Sequence, residues 1–264
     1  MTSEQSASLL ARTRIVMVET SLAANIGAAA RAMKTMGLTQ LVVVRPGQPL
    51  TDEAAAARAS GAENLLARAR VVDTLDAALA DCDLVVGTSA RSRSLPWPML
   101  TPREVPAAVR RAEGTGPVAL LFGRERSGLT NEELARCHYH VHIPANPDYS
   151  SLNIAAAVQI LCYELRLASL APAPEAYDEV RPLAGAEALE GYFEHLQRVL
   201  VDIEFADPNN LRQLMLKLRR FYMRAQPEPV ELNLLRGIVS QTEKSLARAR
   251  SANAGPADRE QDTD

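Results

Sequence analysis

A glycine-rich turn that carries a carboxylate is the first feature with a chemical meaning. The segment FGRERSGLTNEE follows an apolar run and places Gly123 and Gly128 five residues apart, which is the glycine spacing of a P-loop. The P-loop lysine is missing because Leu129 stands at its position, which argues against nucleoside triphosphate hydrolysis. Glycines still let the backbone approach a ligand closely, and the carboxylate of Glu125 suits a cationic ligand better than a phosphate. The alternative is a tight strand-to-helix turn with a surface glutamate.

One arginine emerges from a helix of small residues. The segment NIGAAARAMKTMG favours a helix, which Asn25 is expected to cap and Gly37 to close. The residues around Arg31 are small and apolar, so another surface can approach its guanidinium closely. This group is always protonated and has five donors, which suits a phosphate or a carboxylate. A capped helix with a solvated arginine is the simpler alternative.

A second loop, GTSARSRSLPWPM, follows an apolar run and is rich in small polar and basic residues. It offers Thr88, Ser89, Arg91 and Arg93 where a strand ends. Ligands of open α/β sheets bind beyond the carboxyl ends of the strands, so this loop is a candidate binding loop. Trp97 lies between two prolines, where it either packs the loop or contacts a ligand.

A third segment, IPANPDYSSLNIAAAVQILCYELRLA, passes from a strand end through turn residues into a helix. Ser151 and Asn153 stand at the start of that helix, and Asp148 and Ser150 are candidate caps. Simple capping accounts for one of these residues but not for all of them.

The segment HYHVH is a candidate metal site. Side chains alternate along a strand, so His138, His140 and His142 share one face. Cys137 directly precedes them but falls on the opposite face, so no Asp, Glu or Cys accompanies the three histidines on their own face, and an ordinary polar face is favoured over a metal. We therefore predict no metal.

The segment 211–224 carries basic residues and no acidic one. Its basic residues are Arg212, Lys217, Arg219, Arg220 and Arg224. Such a density predicts a track for RNA phosphates, with a solvated basic helix face as the alternative. Phe221 and Tyr222 are of the type that stacks on exposed bases, although we expect Phe221 to pack in a core.

The elements that must position these residues are those of an α/β fold. Short apolar runs rich in Val, Ile and Leu predict strands buried on both faces, at residues 14–19, 41–44, 83–87, 118–123 and 139–144. Helical patterns separate them, among them residues 52–69 and 74–82. Strands that alternate with helices predict a parallel sheet.

The composition changes after residue 170. A stretch with three prolines predicts a linker at residues 171–185, and helical periodicity then replaces the strand pattern. We predict an α/β domain at 1–170, an all-helical domain at 186–250 and a disordered acidic tail at 251–264. The tail supplies a charge of −3, so the net charge of −3 leaves the body neutral and compatible with a nucleic-acid partner.

Composition and cysteine usage set the broad class. The chain has 264 residues, 47% of them hydrophobic and 23% charged, and it holds no apolar run long enough to span a bilayer. Its beginning does not resemble a signal peptide. Cys82, Cys137 and Cys162 lie far apart and are expected in the core rather than in disulfides or a zinc site. These features predict a cytoplasmic protein with no membrane partner.

Four of these segments, in this order, resemble the SPOUT superfamily of RNA methyltransferases. They are NIGAAARAMKTMG, GTSARSRSLPWPML, LLFGRERSGLTNEEL and IPANPDYSSLNIAAAVQILCYELR. The chain is most similar to the bacterial TrmJ-type tRNA 2'-O-ribose methyltransferases, over about residues 14–170 with a helical extension after them. The resemblance implies a parallel-sheet SPOUT fold with a C-terminal trefoil knot, a rare exception to unknotted folding.

The resemblance also implies a cofactor, a partner and a set of site residues. S-adenosylmethionine would bind to three loops, and a homodimer would build each active site from both chains. The implied cofactor contacts are Thr88, Ser89 and Ala90, then Gly123, Glu125 and Gly128, then Ile143, Ser151 and Leu152. The implied catalytic residues are Arg31, Asn25, Ser151 and Asn153.

The predicted function is therefore 2'-O-methylation of ribose in the tRNA anticodon loop, at cytidine or uridine 32. Methyl transfer from sulfur to oxygen requires no metal. As a hypothesis, Arg31 holds a phosphate and stabilises the developing alkoxide rather than acting as a general base, because a guanidinium keeps its proton. Arg91 and Arg93 add phosphate contacts. The alternatives are methylation of ribosomal RNA ribose and a knotted RNA-binding module without catalysis.

Overall fold

Parallel strands form a single seven-stranded sheet in the computed structural model, which describes residues 9–89, 97–112, 116–171 and 183–253. The strands are β1 (Thr13–Val18), β2 (Gln40–Val44), β3 (Arg70–Val72), β4 (Leu84–Thr88), β5 (Met99–Leu100), β6 (Val118–Phe122) and β7 (Tyr139–Val141). Their order across the sheet is β3-β2-β1-β6-β4-β7-β5, and every neighbouring pair is parallel. This confirms the predicted parallel α/β sheet.

The central strands are those that the apolar runs predicted. Every residue of β1 and β6 is buried, because helices cover both faces of the sheet. The prediction missed β3 and β5. β3 is an edge strand with exposed residues and β5 has two residues, so neither carries a long apolar run.

Helices cover the sheet and continue beyond it. Those of the α/β part are α1 (Ala23–Met36), α2 (Glu53–Ala59), α3 (Glu63–Arg68), α4 (Leu75–Leu79), α5 (Val105–Arg111), α6 (Asn131–Leu134) and α7 (Ile154–Leu170). Those after it are α8 (Ala186–Asp202), α9 (Leu211–Ala225) and α10 (Pro229–Asn253). The prediction of one helical stretch at residues 52–69 was wrong, because Ser60 and Gly61 adopt positive φ (41° and 88°) and separate α2 from α3.

Close packing fixes α1, the helix that carries Arg31. A Cβ atom on Gly27 would lie 2.0 Å from the carbonyl oxygen of Ala55 in α2, so only glycine fits at this crossing. α1 also packs against α7. The helices that begin at the candidate site are thus held to each other.

The three final helices share one core, which also includes Trp97 and Ala135 of the α/β part. Tyr192 and Phe193 of α8 are buried against Met215, Met223 and Leu232 of α9 and α10. α10 continues to Asn253, past the predicted boundary at residue 250. The domain boundaries and the trefoil knot stay predictions, and Ala90, Arg91, Arg93 and residues 254–264 lie outside the described residues.

The three histidines bind backbone groups rather than forming a polar surface, which corrects that expectation. His138 is 4% exposed; its Nδ1 accepts from the Val85 amide (3.0 Å) and its Nε2 lies 3.0 Å from the Ala184 carbonyl. His140 stacks on the ring of Trp97 (5.1 Å between centroids), so Trp97 packs the loop. In the described part of the chain, no group of His, Cys, Asp and Glu is arranged to hold a metal ion.

The cysteines fit the prediction of core residues, since all three are buried with free thiols. None of the described helices is both long enough and apolar enough to cross a membrane.

Candidate active site

A pocket opens at the carboxyl ends of β4 and β6. It brings together all the predicted cofactor residues that the structure describes, although they come from three distant segments. These residues are Thr88, Ser89, Gly123, Glu125, Gly128, Ile143, Ser151 and Leu152. This is the edge of a parallel sheet at which ligands bind.

The pocket lining combines apolar and hydroxyl side chains. Leu129, Ile143 and Leu152 provide apolar surface, while Ser89 and Ser151 provide hydroxyl groups. Such a surface suits a nucleoside, whose base needs an apolar wall and whose ribose needs polar partners. The residues present therefore fit the adenosine part of the predicted cofactor.

The glycine loop, residues 123–128, is closed by two backbone hydrogen bonds. The Arg124 amide donates to the Gly128 carbonyl (3.2 Å), and the Gly128 amide donates back to the Arg124 carbonyl (2.9 Å). A Cβ atom on Gly123 would lie 2.1 Å from the Gly128 carbonyl carbon, and Gly128 has φ +67°. Both glycines are therefore required by the shape of this loop.

Arg124 anchors one side of the loop. Its guanidinium donates to both carboxylate oxygens of Glu133 (3.0 Å each) and to Glu19 (2.7 Å) at the end of β1. The hydrogen bonds to Glu133 and Glu19 raise the pKa of Arg124 although burial opposes this. The arginine thus joins the loop to the sheet edge, a role that the sequence analysis did not assign.

Glu125 anchors the other side of the loop to the start of α1. Its Oε2 accepts from the amide and hydroxyl of Ser21 (3.1 and 3.0 Å), and its Oε1 accepts from the Leu22 amide (3.2 Å) and from Asn25 Nδ2 (2.9 Å). Burial alone would raise the pKa of Glu125, but the hydrogen bonds from Asn25, Ser21 and Leu22 lower it to about 2.

These contacts change the interpretation of Glu125. The groups that bind its carboxylate are protein donors at a helix N-terminus, where amides and the helix dipole favour an anion. That its carboxylate also faces a cationic ligand stays a prediction, since Glu125 lines the pocket as well. The structure gives it the role of a helix cap supplied from another loop.

Asn25 continues this connection to a second helix. Its Oδ1 accepts from Asn153 Nδ2 (3.0 Å), and Asn153 Oδ1 accepts from the Ala155 amide (2.9 Å) as the N-cap of α7. The prediction that Asn25 caps α1 was wrong, because α1 begins at Ala23 and Asn25 lies in its first turn. Asn153, rather than Asp148 or Ser150, caps α7. Glu125, Asn25 and Asn153 therefore form one chain of side-chain hydrogen bonds.

Arg31 is exposed and does not line the pocket. Its side chain has no hydrogen bond or ion pair to any of the residues that the structure describes. A free guanidinium two turns along α1 is available to an external anion.

The basic residues of α9 do not all face solvent. Arg219 lies 2.6 and 2.8 Å from Glu190, with its guanidinium 4.4 Å from the ring centre of Phe193 and its side chain 15% exposed. Its placement fits a structural role better than the predicted RNA contact. Arg212 pairs with Glu132 of α6 (Nε to Oε1, 2.8 Å) but stays 76% exposed.

The remaining residues that were predicted to contact RNA differ in how exposed they are. Lys217 and Arg224 are exposed, and Arg220 is half-buried. The expectation of a core position for Phe221 was wrong, since its side chain is 57% exposed. Tyr222 instead packs edge-on against Tyr192 of α8 (5.3 Å).

Two further residues near the pocket were not predicted from the sequence. Arg126 lines it and is exposed, between the two loop glycines. Gln48 accepts from the Ala23 amide (2.8 Å) and completes the cap of α1. Arg126 could have been predicted as a site residue, because it is a cation within a candidate binding loop. Nothing in the sequence linked Gln48 to α1.

Two sequence families match this chain in succession. The family described as "SpoU rRNA Methylase family" matches residues 12–163, and "tRNA methyltransferase TrmJ, C-terminal domain" matches residues 187–252. The chain belongs to the TrmJ branch of the SpoU methylases. This membership confirms the SPOUT resemblance and S-adenosylmethionine as the cofactor.

Individual relatives of this SpoU methylase cover most of its length. A protein of Yersinia pestis named tRNA (cytidine/uridine-2'-O-)-methyltransferase TrmJ is 54% identical over 89% of this chain and 93% of the relative. A protein of Pseudomonas aeruginosa named tRNA (cytidine/uridine/adenosine-2'-O-)-methyltransferase TrmJ is 51% identical over 92% and 98%. The crystal structure of TrmJ from Z. mobilis has a TM-score of 0.76 at 33% identity and covers 88% of this chain and 99% of that one.

Proposed function

We propose that this chain methylates the ribose 2'-hydroxyl of cytidine or uridine 32 in the tRNA anticodon loop. The observation that carries the proposal is the 54% identity to a tRNA (cytidine/uridine-2'-O-)-methyltransferase over 93% of that relative's length. The match includes the final helices as well as the sheet, so it covers the parts that would bind tRNA. The choice of nucleotide 32 rests on the resemblance of the sequence segments alone. We also propose that the enzyme acts in the cytoplasm, which a tRNA substrate supports.

Bound S-adenosylmethionine supplies an electrophilic methyl group on a sulfonium. The hydroxyl and apolar lining of the pocket is suited to hold its adenosine, through Ser89, Ile143 and Leu152 among others. Ala90 completes the proposed contacts. The rigid glycine loop keeps Gly123 and Gly128 close to the ligand.

In this proposal Arg31 binds the phosphate beside the target ribose. Its bidentate guanidinium aligns the 2'-oxygen and stabilises the negative charge that develops as the hydroxyl releases its proton to solvent water and its oxygen takes the methyl group. Exposure of Arg31 and its freedom from protein partners in the described residues support this role. Ser151, exposed at the pocket edge, adds a donor for the same phosphate.

Asn25 and Asn153 act as positioning residues rather than by touching the reacting atoms. Their mutual hydrogen bond, with Glu125 behind it, ties the start of α1 to the pocket loop and to α7. These hydrogen bonds hold α1, the helix that carries Arg31, in a fixed position relative to the cofactor loops.

We also propose a homodimer with the active site at the subunit interface. Two observations support it. Arg31 does not line the pocket of its own chain, and α7, which begins at the pocket, exposes Tyr163, Leu167 and Leu170 farther along its length. A sedimentation experiment that finds a monomer at working concentrations would exclude this arrangement.

The proposed domains follow the matched families. Residues 1–170 form the methyltransferase domain, 171–185 the linker and 186–250 the tRNA-binding domain, with an acidic tail from 251. The boundaries are supported by a first match that ends at residue 163 and a second that begins at residue 187. Arg91 and Arg93 would contact phosphates near the active site, and Lys217, Arg220 and Arg224 farther away.

The deciding experiment incubates the protein with labelled S-adenosylmethionine and unmodified tRNA transcripts. Nuclease digestion and mass spectrometry should locate a 2'-O-methyl group on nucleotide 32. A transcript with 2'-deoxyribose at position 32 is the matched control and should accept no methyl group. Methylation elsewhere in tRNA would refute the position. Transfer to ribosomal RNA instead would favour the alternative that the name of the SpoU rRNA methylase family suggests.

A further inference from the structure

The helix α9 has two chemically different faces. The inner face contains Met215 and Met223, which are buried, and the paired residues Arg212 and Arg219. These four positions recur at the spacing of one side of a helix. Their guanidinium groups are already bound by carboxylates of the protein.

The outer face is formed by Lys217, Phe221 and Arg224, at positions i, i+4 and i+7. All three side chains are exposed, Phe221 to 57%. Neither cation has a hydrogen bond or ion pair to a described residue. The two cations lie on either side of the ring, about 10 Å apart along the axis at the helical rise.

An exposed phenylalanine between two exposed cations is suited to single-stranded nucleic acid. The ring offers a π-face to a base, and the cations offer charge to the phosphates that flank it. Phe205 provides a comparison within the same helical region. It is 67% exposed, but Glu204 directly precedes it and Asp207 follows two residues later, and both repel a polyanion.

We propose that the outer face of α9 binds an unpaired nucleotide of the RNA substrate. Phe221 stacks on the base, while Lys217 and Arg224 contact phosphates on its two sides. The inference rests on the proposed function, because it requires an RNA substrate, and it deepens that function by naming the contact. It also separates the cations of α9 that bind RNA from those that hold the helix in place.

The first test uses tryptophan as a stacking probe in the full chain. The variants Phe221→Trp and Phe205→Trp each add one indole to the single natural tryptophan, Trp97, which is 8% exposed and gives a constant background. Addition of unmodified tRNA should quench the emission of the first variant, because a base stacks on the indole, and leave the second unchanged. Equal behaviour of the two variants would overturn the inference.

The second test measures tRNA affinity by fluorescence anisotropy at several salt concentrations. Phe221→Leu keeps an apolar side chain and should weaken binding about 5-fold or more, since stacking of one base is worth roughly 1–3 kcal/mol. Its salt dependence should stay that of the wild type, and the control Phe205→Leu should bind normally. The double variant Lys217→Gln/Arg224→Gln should lower the salt slope by about 0.7 for each phosphate that is no longer neutralised.

The outcomes separate this inference from the proposed function. If the wild-type chain methylates tRNA while Phe221→Leu binds it normally, the stacking interaction is refuted and the proposed function stands. If the wild-type chain neither binds nor methylates tRNA, both fail. If Phe221→Leu alters self-association in sedimentation but not RNA affinity, the outer face binds a second copy of the chain instead.

Discussion

Replacement of Glu125 by glutamine tests whether this residue caps α1 or faces the cofactor. The carboxylate accepts four hydrogen bonds at the start of α1, from Ser21, Leu22 and Asn25. A glutamine of the same size keeps one acceptor oxygen, but its amide nitrogen meets the donors of Ser21. The variant therefore removes the charge and leaves polar donors without a partner.

The size of the effect follows from the pKa of Glu125. A decrease from the ordinary 4.5 to about 2 corresponds to an upper limit of about 3 kcal/mol. Solvent screening at this partly exposed site reduces that figure, and loss of hydrogen bonds to a charged group gives a similar value of about 2 kcal/mol. We expect a decrease in melting temperature of roughly 4 to 8 °C.

The pH dependence has a defined sign. The pKa of Glu125 is lower in the folded chain, so its contribution is complete above pH 4.5 and is lost as the pH decreases towards 2. The difference in unfolding free energy between wild type and Glu125→Gln should be constant near neutral pH and shrink below about pH 4.5. Glu63→Gln, at an exposed glutamate that accepts from the Gly61 amide, serves as the control.

The assay combines thermal unfolding with calorimetric titration of S-adenosylmethionine. If Glu125 is a cap, stability and turnover decrease while the cofactor Kd changes by less than about threefold. If the variant keeps its stability but loses cofactor affinity, the carboxylate faces the ligand and the structural interpretation is refuted.

Three further substitutions test other parts of the site. Arg31→Lys should lower turnover by about 100-fold with unchanged cofactor binding, because an ammonium cannot bind phosphate in a bidentate manner; a rate near that of wild type would remove this requirement. Gly123→Ala should weaken cofactor binding in calorimetry far more than Gly128→Ala. A Cβ atom at position 123 would overlap the Gly128 backbone, whereas a Cβ atom at position 128 meets open space; the reverse order of the two effects would contradict the loop geometry. Arg219→Met should lower the free energy of unfolding by about 2 kcal/mol in urea titrations, since it removes the two hydrogen bonds to Glu190 and leaves that carboxylate with Arg136 alone, and it should leave the salt slope of tRNA binding unchanged; a changed slope would indicate an RNA contact after all.

The sequence was sufficient to predict the central strands and the loops at their ends. Apolar runs such as those of β1 and β6 encode burial locally, and the polar residues that follow a parallel strand must lie at one edge of the sheet. The strand order was not predictable, because pairings such as Thr13 with Val118 join distant parts of the chain. The partners of Glu125 were not predictable for the same reason, since Ser21 and Asn25 lie about a hundred residues away from it in sequence.

The assignment of the α9 residues failed for a different reason. Residue type alone placed Arg219 on RNA and Phe221 in a core, although helical periodicity groups Arg219 with Met215 and Met223. Those methionines identify the inner face, and Phe221 falls on the opposite side together with Lys217. This information was present in the sequence but became decisive only when the buried residues were known.

The strand order also determines when the sheet can assemble during synthesis. β6 lies between β1 and β4, and β7 lies between β4 and β5, although β6 follows both of its neighbours in the chain and β7 follows both of its own. Until Phe122 leaves the ribosome, β1 and β4 therefore expose unpaired edges with apolar faces. Such edges invite aggregation in a nascent chain, and the pairing that removes them joins distant residues and is slow. In this methylase β1 and β4 lack their shared neighbour until β6 has been synthesised, so the time that translation takes from β4 to β6 sets how long these apolar edges stay unpaired.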